Sequence, residues 1–333
     1  MPRLEQPSRS FTDSSALERT VGFLAASVFS LVYVIAPLYV LAAIAAILYT
    51  PFSTTTWAFV APLLVSLALP SDLADRYGPA VLSSYPCRQI PKYFYYEEYH
   101  EISDQEILAS GKNYICGSHP HGVFSFVGVC AGVTTVNAPD GFGSKLTTVV
   151  PTAAATVVKK FPVLKDVLGV FGVIDASGAT LAKRLVRPMS SVVIYVGGMV
   201  ELFYSSPKRE VVFLKKRKGF IKMALRTGAD VIPLYLFGNT TVLSALTSGP
   251  LASLSRKLGV SVTFFWGRFG MPLPKAVRLV YARGRPLGMP HIPEPTDEDV
   301  DRWHAEYCNK LTELFDAYKG RNPDYKHKEL LIE

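Results

Sequence analysis

Charged residues are scarce in this sequence and are absent from one long stretch of it. Only 19% of the 333 residues are Asp, Glu, Lys or Arg, compared with about 25% in an ordinary soluble domain. None of these four residue types occurs between Arg19 and Asp72. Because 49% of the residues are hydrophobic, the chain has ample apolar material for a core, which excludes a disordered or collagen-like protein.

Cysteine is also scarce. The four cysteines, Cys87, Cys116, Cys130 and Cys308, lie far apart and form no C-x-x-C pair. This spacing argues against a zinc knuckle and a disulfide framework and favours a reducing, cytosol-facing environment. No H-E-x-x-H motif is present either, so neither a metal site nor a bound cofactor is predicted.

The net charge of +8 is unevenly distributed. Residues 145–287 hold 22 Lys and Arg against 5 Asp and Glu, whereas the rest of the chain holds 13 against 22. Such a basic stretch is typical of proteins that bind nucleic acid, an anionic membrane surface or an anionic cofactor. No helix-turn-helix, RNA-recognition or zinc module is recognisable. A nucleic-acid partner is therefore not expected, and the apolar N-terminal segment favours the other two interpretations.

Two apolar runs near the N-terminus predict membrane insertion. The first, residues 21–49, exceeds the roughly 20 residues that cross a bilayer as a helix and is much longer than the core of a signal peptide. The second run, within residues 52–70, follows a break rich in threonine. A pair of crossing helices and a hairpin that enters and leaves by one face both satisfy this pattern, and both place the two flanking segments on the same side.

The apolar runs divide the chain into three parts. We predict a flexible polar tail over residues 1–20, a helical membrane hairpin over residues 21–71, and an enzyme-sized domain over residues 72–333. Cytoplasmic segments usually carry the excess of Lys and Arg, and the basic stretch follows the hairpin. The large domain is therefore predicted to face the cytosol.

Beyond residue 72 the sequence predicts an α/β fold. Short apolar runs bounded by Gly, Pro or Asn have the length of buried strands, at residues 113–117, 191–197, 211–214, 230–237 and 276–282. Apolar residues at helical spacing predict helices over residues 180–188 and 219–227, and an amphipathic helix from the capping residue Thr296 to Gly320. Alternation of this kind is typical of a mostly parallel sheet covered by helices.

Two histidines stand out in the segment Cys116-Gly117-Ser118-His119-Pro120-His121-Gly122, which includes the end of a predicted strand. Open α/β sheets bind ligands at such strand ends, and the flanking glycines permit tight turns. An isolated His-x-His can also be a polar turn. A zinc site would need a third ligand, which the neighbouring sequence does not supply.

The tetrapeptide His119-Pro120-His121-Gly122 resembles the signature of the diacylglycerol acyltransferase type 2 family, which also includes monoacylglycerol and wax-ester acyltransferases. Asn239 departs from the family pattern, in which Glu or Gln is common at that position. The resemblance covers the apolar hairpin and nearly all of residues 88–333. Further blocks occur in the order typical of this family, at residues 91–94, 196–201, 217–224, 228–233, 237–239 and 314–319.

The resemblance implies an acyl-CoA-dependent acyltransferase that esterifies diacylglycerol to triacylglycerol. Monoacylglycerol or a long-chain alcohol as acceptor is the alternative reaction, and a non-catalytic protein of the endoplasmic reticulum or lipid droplets is the alternative class. The implied partners are acyl-CoA as co-substrate, a neutral lipid acceptor and the membrane, and a homo-oligomer is left open. The implied location is the endoplasmic reticulum membrane, with the catalytic domain facing the cytosol, or lipid droplets.

Acyl transfer from a thioester to an alcohol needs a base for the hydroxyl proton and donors for the developing oxyanion. We predict His121, or alternatively His119, as the base, with the N–H of Gly122 lining the site. Related glycerol-phosphate acyltransferases use a His-x-x-x-x-Asp motif, but no Asp follows either histidine at this spacing. Glu201 is therefore the predicted carboxylate that orients the imidazole.

Four further residues are predicted to shape the site. Gly197 and Gly198 precede Glu201 and would let its side chain approach closely, although in isolation the pair could be a simple turn. Arg217 and Lys218 belong to a basic run that is predicted either to attract the phosphates of acyl-CoA and the lipid surface or to form a solvated face. The apolar run at residues 202–204 favours a neutral acceptor.

Overall fold

The structure is a computed structural model, and it describes residues 5–70, 72–138, 150–198, 201, 209–247, 249 and 264–333. The strands are β1 Arg9–Ser10, β2 Glu97–His100, β3 Tyr114–His119, β4 Thr152–Ala154, β5 Ile174–Asp175, β6 Val192–Tyr195, β7 Glu210–Val212, β8 Asp230–Phe237, β9 Ser244–Ala245, β10 Phe265–Trp266, β11 Val280–Arg283 and β12 Leu330–Ile332. The helices are α1 Ala16–Tyr49, α2 Thr54–Ala68, α3 Asp72–Leu82, α4 Tyr85–Tyr93, α5 Asp104–Ala109, α6 Phe126–Asn137, α7 Thr156–Lys160, α8 Leu164–Gly169, α9 Gly178–Leu185, α10 Gly219–Thr227 and α11 Asp297–Tyr318.

One large sheet organises the domain that follows α2. Its eight strands lie in the order β1-β2-β11-β8-β3-β6-β4-β5. Neighbouring strands are parallel except for the pairs β1–β2 and β8–β11. The predicted α/β fold with a mostly parallel sheet is therefore confirmed. The predicted strand at residues 211–214 is displaced from this sheet, because β7 pairs instead with β12 near the C-terminus.

Helices cover both faces of the sheet. All eight residues of β8 are buried, as expected of a strand that packs on both sides. Val231, Tyr235 and Phe237 face one core layer, which includes residues of α9, α10 and α11. Alternate residues of the same strand, such as Ile232 and Leu234, face the second layer, which includes residues of α1, α4 and α6. The two histidines of the site described below lie in different layers.

The N-terminal residues are more ordered than the sequence predicted. Arg9 of β1 pairs with Glu98 at 2.9 Å and with Asp104, which ties the strand to the sheet edge. The helix α1 begins at Ala16 because Ser15 and Glu18 form a reciprocal capping box. Residues 9–10 and 16–20 are therefore a strand and the first turn of a helix instead of a flexible tail.

The helix α1 is the one helix of the described residues that is long and apolar enough to cross a membrane. It packs against α2, where the hydroxyl of Tyr39 donates to the carbonyl of Phe59 at 2.6 Å. Near its N-terminal end, one side of α1 packs on the domain through Ala26 and Phe29, which belong to the second core layer. Its opposite side exposes large apolar side chains, among them Leu24, Val28, Ile35, Leu38 and Leu41.

Candidate active site

His119 is the last residue of β3 and lies in the layer of α11. Its Nδ1 is 3.0 Å from Oε1 of Glu201, and both side chains are fully buried. Its Nε2 is 3.2 Å from the hydroxyl oxygen of Tyr307 on α11. Both ring nitrogens of His119 are therefore occupied by protein groups, and the ring is held from two sides.

Tyr307 is a site residue that the sequence analysis missed. Its hydroxyl donates to the carbonyl of Gly117 at 3.1 Å, and a Cβ at Gly117 would collide with that hydroxyl. Burial raises the pKa of Tyr307 well above its ordinary value of 10, so the phenol stays protonated. No local signal distinguishes this tyrosine from the other apolar-face residues of an amphipathic helix.

His121 lies on the other side of the sheet and has a different environment. Its Nδ1 is 2.8 Å from the carbonyl oxygen of Gly122. Because a carbonyl only accepts, Nδ1 carries a hydrogen, and in the neutral form of the ring Nε2 has a lone pair. Nε2 makes no hydrogen bond to the described residues. The ring packs edge-on against Tyr195 of β6, with centroids 4.8 Å apart.

Glu201 connects the two histidines through one carboxylate. While Oε1 faces His119, Oε2 accepts the main-chain N–H of His121 at 2.9 Å, and the N–H of Phe213 donates to Oε1 at 3.3 Å. A Cβ at Gly197 would overlap the Glu201 side chain, so the absence of a side chain at Gly197 makes this close approach feasible, whereas a Cβ at Gly198 would meet nothing within 4 Å.

The contact of Glu201 differs from the prediction in one respect. The carboxylate was expected to orient the ring of the base, with His121 favoured, but it contacts the ring of His119 and only the main chain of His121. The reason is that β3 ends at His119, whose side chain lies in the layer of α11. His121 comes after the end of the strand, where the alternation of side chains no longer holds, and it lies against Tyr195 in the other layer. The ring of His121 is held by its contact with Gly122.

Asn239, which follows β8, holds the histidine turn from the opposite side. Its Nδ2 donates to the carbonyls of Pro120 at 3.0 Å and His121 at 2.7 Å. Its Oδ1 accepts the N–H of Val127 at the start of α6. The sequence analysis noted Asn239 only as a departure from a family pattern. The sequence feature that could have identified Asn239 is its position just after the predicted strand at residues 230–237, because the ends of parallel strands meet at one edge of a sheet.

The core layer on the His121 side of the sheet is apolar and includes residues of the N-terminal helix. Phe124 stacks on Tyr33 of α1 with centroids 3.9 Å apart, and it contacts Phe265 of β10 edge-on at 4.9 Å. Burial raises the pKa of Tyr195 to about 12 and that of the Cys116 thiol to about 11. Both groups stay neutral at physiological pH, and neither can serve as an anionic nucleophile.

The remaining predicted residues border this site. Gly198 adopts a left-handed conformation with φ of +60°, which only glycine takes readily. The guanidinium of Arg217 lies 5.6 Å from the ring centroid of Phe213, whose N–H reaches Glu201. Lys218 pairs with Asp301 of α11 at 2.5 Å. The structure thus brings His119, His121, Gly122, Gly197 and Glu201 together, and places the basic pair nearby; their catalytic and binding roles remain predictions.

No group of three His, Cys, Asp or Glu side chains with the arrangement of a metal site occurs within the described part of the chain. The apolar run predicted at residues 202–204 lies outside the described residues, as do Met199 and Val200 of the block that contains Glu201.

Residues 49–333 match a family model described as diacylglycerol acyltransferase. The chain belongs to this family. The resemblance inferred from the histidine signature is therefore confirmed, and with it membership of a family of acyltransferases. This protein is 34% identical over 229 residues to human 2-acylglycerol O-acyltransferase 3. The match covers 64% of this chain and 66% of the relative.

A second relative is diacylglycerol O-acyltransferase 2 of Dictyostelium discoideum, 34% identical over 236 residues that cover 66% of this chain and 70% of the relative. The family member thus spans about two-thirds of the length of these curated relatives. Among solved structures, it aligns with the 1-acyl-sn-glycerophosphate acyltransferase of Thermotoga maritima at a TM-score of 0.41 and 11% identity, over 90% of this chain and 97% of that chain.

Proposed function

We propose that this protein transfers a fatty acyl group from acyl-CoA to the free hydroxyl of a neutral acylglycerol, with diacylglycerol as the acceptor and triacylglycerol as the product. The observation that carries the proposal is that, while Nδ1 of His121 contacts the carbonyl oxygen of Gly122, its Nε2 makes no hydrogen bond to the described residues. This nitrogen is held in a turn that Glu201 and Asn239 fix from two sides. It lies in the layer that packs on the apolar helix α1, from which a lipid can approach.

The base in this mechanism is His121. Its Nε2 takes the proton of the acceptor hydroxyl while the hydroxyl oxygen attacks the thioester carbonyl carbon. The tetrahedral intermediate then collapses, the C–S bond breaks, and the proton on Nε2 passes to the leaving CoA sulfur. The new ester bond joins the acyl carbon to the acceptor oxygen, and His121 returns to its starting state.

Other groups assist without exchanging protons. The N–H of Gly122 makes no hydrogen bond to the described residues, and it is the proposed donor to the oxyanion. His119, which has no open ring nitrogen, is a positioning residue in this scheme, together with Glu201. We propose that the exposed basic run that includes Arg217 and Lys218 attracts the phosphates of CoA.

The choice of a neutral acceptor is supported by the site's composition. The ring of His121 packs against Tyr195, which borders the apolar core layer that also holds Phe124 and Tyr33, stacked on each other. A phosphate dianion would need charged partners in such a place. The names of the relatives include both a 2-acylglycerol and a diacylglycerol acyltransferase, so monoacylglycerol is the alternative acceptor, and a long-chain alcohol is a further one.

The deciding assay incubates purified protein with labelled oleoyl-CoA and equal concentrations of diacylglycerol, monoacylglycerol, a long-chain alcohol and lysophosphatidate. We expect label mainly in triacylglycerol. Label mainly in phosphatidate would overturn the neutral acceptor, and absence of any transfer would favour the non-catalytic membrane protein.

The assignment of the base is tested by His121→Ala in the same assay. The expected loss is about 10²- to 10⁴-fold, the usual contribution of general acid–base catalysis. His327→Ala is the matched control, because His327 is exposed and takes no part in the site, and we expect it to retain activity. If His121→Ala keeps more than about a tenth of the rate, His121 is not the base.

The membrane arrangement completes the proposal. We place α1 and α2 as a hairpin in the endoplasmic reticulum membrane, or on lipid droplets, with both ends in the cytosol. This placement is supported by the exposed apolar side of α1 and by its contact with α2. Glycosylation acceptor tags before Arg19 and after Arg76 should both stay unmodified, and modification of either tag in the lumen would refute the topology.

A further inference from the structure

A loop far from α1 in sequence exposes large apolar side chains beside it. This loop, residues 264–274, is called the aromatic loop here. Phe264 is 61% exposed, Phe269 is 73% exposed and Met271 is 48% exposed. Single exposed hydrophobic residues are ordinary, but three large ones within eight positions form a patch of the kind that marks an interaction surface.

The loop holds these side chains outward in a fixed conformation. Main-chain hydrogen bonds close it, from the N–H of Gly267 to the carbonyl of Met271 at 2.7 Å and from the N–H of Arg268 to the carbonyl of Leu273 at 2.8 Å. Phe269 at its tip has φ of +60°, a conformation that is unfavourable for a bulky side chain and that Gly or Asn adopts more readily. A turn that only faces water would be expected to have Gly or Asn at this position instead of phenylalanine.

Three contacts attach the aromatic loop to the helices below it. The hydroxyl of Ser30 on α1 donates to the carbonyl of Pro272 at 2.8 Å. The hydroxyl of Tyr93 on α4 donates to the carbonyl of Pro274 at 2.7 Å. The guanidinium of Arg268 lies 5.1 Å from the ring centroid of Phe23 on α1. The loop therefore runs beside the first apolar turns of α1.

These contacts determine the depth of the loop if α1 enters the bilayer after Arg19, its last charged residue. At 1.5 Å per residue, Phe23 lies about 6 Å and Ser30 about 16 Å beyond Arg19 along the helix. Interfacial elements bury their apolar face about 5–10 Å into the boundary between headgroups and acyl chains. The contact with Phe23 therefore places Arg268 at the depth of the interface, where its long side chain can keep its charge among the headgroups. The contact with Ser30 places Pro272 deeper, at the level of the acyl chains.

Successive side chains at the start of the loop point to opposite sides, and this connects the loop to the side of the sheet that holds the proposed base. Phe264 and Trp266 stack on each other with centroids 5.9 Å apart. The residue between them, Phe265, faces inward and contacts Phe124, three residues after His121. One side of the loop thus packs on the apolar layer that lies on the side of the proposed base, and the other side is open.

We propose that the aromatic loop is a second membrane-contacting element, which inserts Phe264, Phe269 and Met271 into the lipid interface beside α1. The partner is the lipid bilayer itself. Insertion brings the His121 side of the sheet against the membrane, so that an acceptor lipid reaches the site without crossing water. The inference rests on the proposed membrane insertion of α1, and the experiment below separates the two.

The three tryptophans of the chain lie in three different elements and serve as reporters. Trp57 is in α2, Trp266 is in the aromatic loop, and Trp303 is in α11, which packs on the opposite face of the sheet. Three double Trp→Phe variants, each keeping one tryptophan, are reconstituted into vesicles that contain brominated phospholipids. Bromine quenches tryptophan emission only on contact, so loss of emission identifies the elements that touch lipid.

We expect loss of emission for Trp57 and Trp266 and none for Trp303. In the Trp266 reporter, Phe269→Ser with Met271→Ser should reduce the quenching. Val186→Ser with Met189→Ser should not, since both residues are exposed just after α9, a helix of the layer that contains α11. Quenching of Trp57 without quenching of Trp266 would overturn the loop proposal and leave the anchor intact. If Trp57 also stays unquenched, the insertion of the helices fails and the loop proposal fails with it.

A second measurement uses the unmodified chain and does not depend on the folding of any variant. Vesicle-bound protein is irradiated with a phospholipid that carries a photoactivatable group in its acyl chain, and the labelled peptides are mapped by mass spectrometry. We expect label within residues 264–271 and none at Val186 and Met189, which are 66% and 41% exposed. Equal labelling of both patches, or none in the loop, would refute insertion.

Discussion

Glu201→Gln is the substitution that most directly tests how the histidine turn is held. The change keeps the size of the side chain but removes its charge and replaces one acceptor oxygen by an NH₂ donor. The Glu201 carboxylate accepts the main-chain N–H of His121 at one oxygen and that of Phe213 at the other, over 2.9 and 3.3 Å, and it lies 3.0 Å from Nδ1 of His119. An amide cannot satisfy donors at both of its ends, so the turn must shift.

The size of the effect follows from these contacts. A hydrogen bond to a charged group contributes about 1.5–3 kcal/mol, and at least one such bond becomes a contact between two donors. Each 1.36 kcal/mol in activation free energy changes a rate tenfold. If the lost bond acts on the geometry of His121 in the transition state, kcat should fall by about 10- to 10²-fold.

The assay measures initial rates of acyl transfer in membranes, with thermal unfolding of the same preparation as the control for folding. Glu210→Gln is the matched variant, because Glu210 is also buried and pairs with Lys328 at 2.8 Å, away from the histidines. We expect Glu210→Gln to lower the melting temperature with little effect on kcat. An unchanged kcat for Glu201→Gln, or an equal loss of kcat in both variants, would refute the reasoning.

Three further predictions concern the same site and the core around it. Gly197→Ala should lower kcat as Glu201→Gln does, because the added Cβ overlaps the carboxylate. The control is Gly132→Ala in α6, whose Cβ meets open space. This control should keep activity and raise the free energy of unfolding by about 0.5–1 kcal/mol. Asn239→Leu leaves two carbonyls of the histidine turn without donors and should cost about 1–3 kcal/mol of stability together with activity; denaturant unfolding and the transfer assay measure both, and an unchanged rate would exclude a positioning role. Burial lowers the pKa of His304 below its ordinary value of 6.5, so the unfolded chain binds a proton that the folded chain rejects, and stability should fall as pH drops through 6.5. His304→Gln should flatten that part of a plot of melting temperature against pH, and an unaltered plot would contradict the assignment.

Much of the fold could be predicted because its signals are local. The strand at residues 230–237 and the helix at 219–227 have the predicted bounds, since each is an uninterrupted apolar or amphipathic run between turn residues. The helix after Thr296 begins where its capping box predicted. The tail at residues 1–20 was mispredicted, because the ion pairs of Arg9 join it to residues about ninety positions away, and composition carries no sign of them.

The sequence alone determined the family, the apolar N-terminal segment, the alternation of strands and helices, and the residue types available for acyl transfer. Each of these features is encoded by residues that are adjacent in the sequence or that repeat every few positions. The tertiary structure decided which imidazole Glu201 contacts, and it brought in Tyr307 and Asn239, which lie 188 and 119 positions from their partners in the histidine turn. It also placed Tyr33 of α1 against the surroundings of His121. Contacts across such separations depend on the order of strands in the sheet and on which face of each element is buried, and neither leaves a local pattern in one sequence.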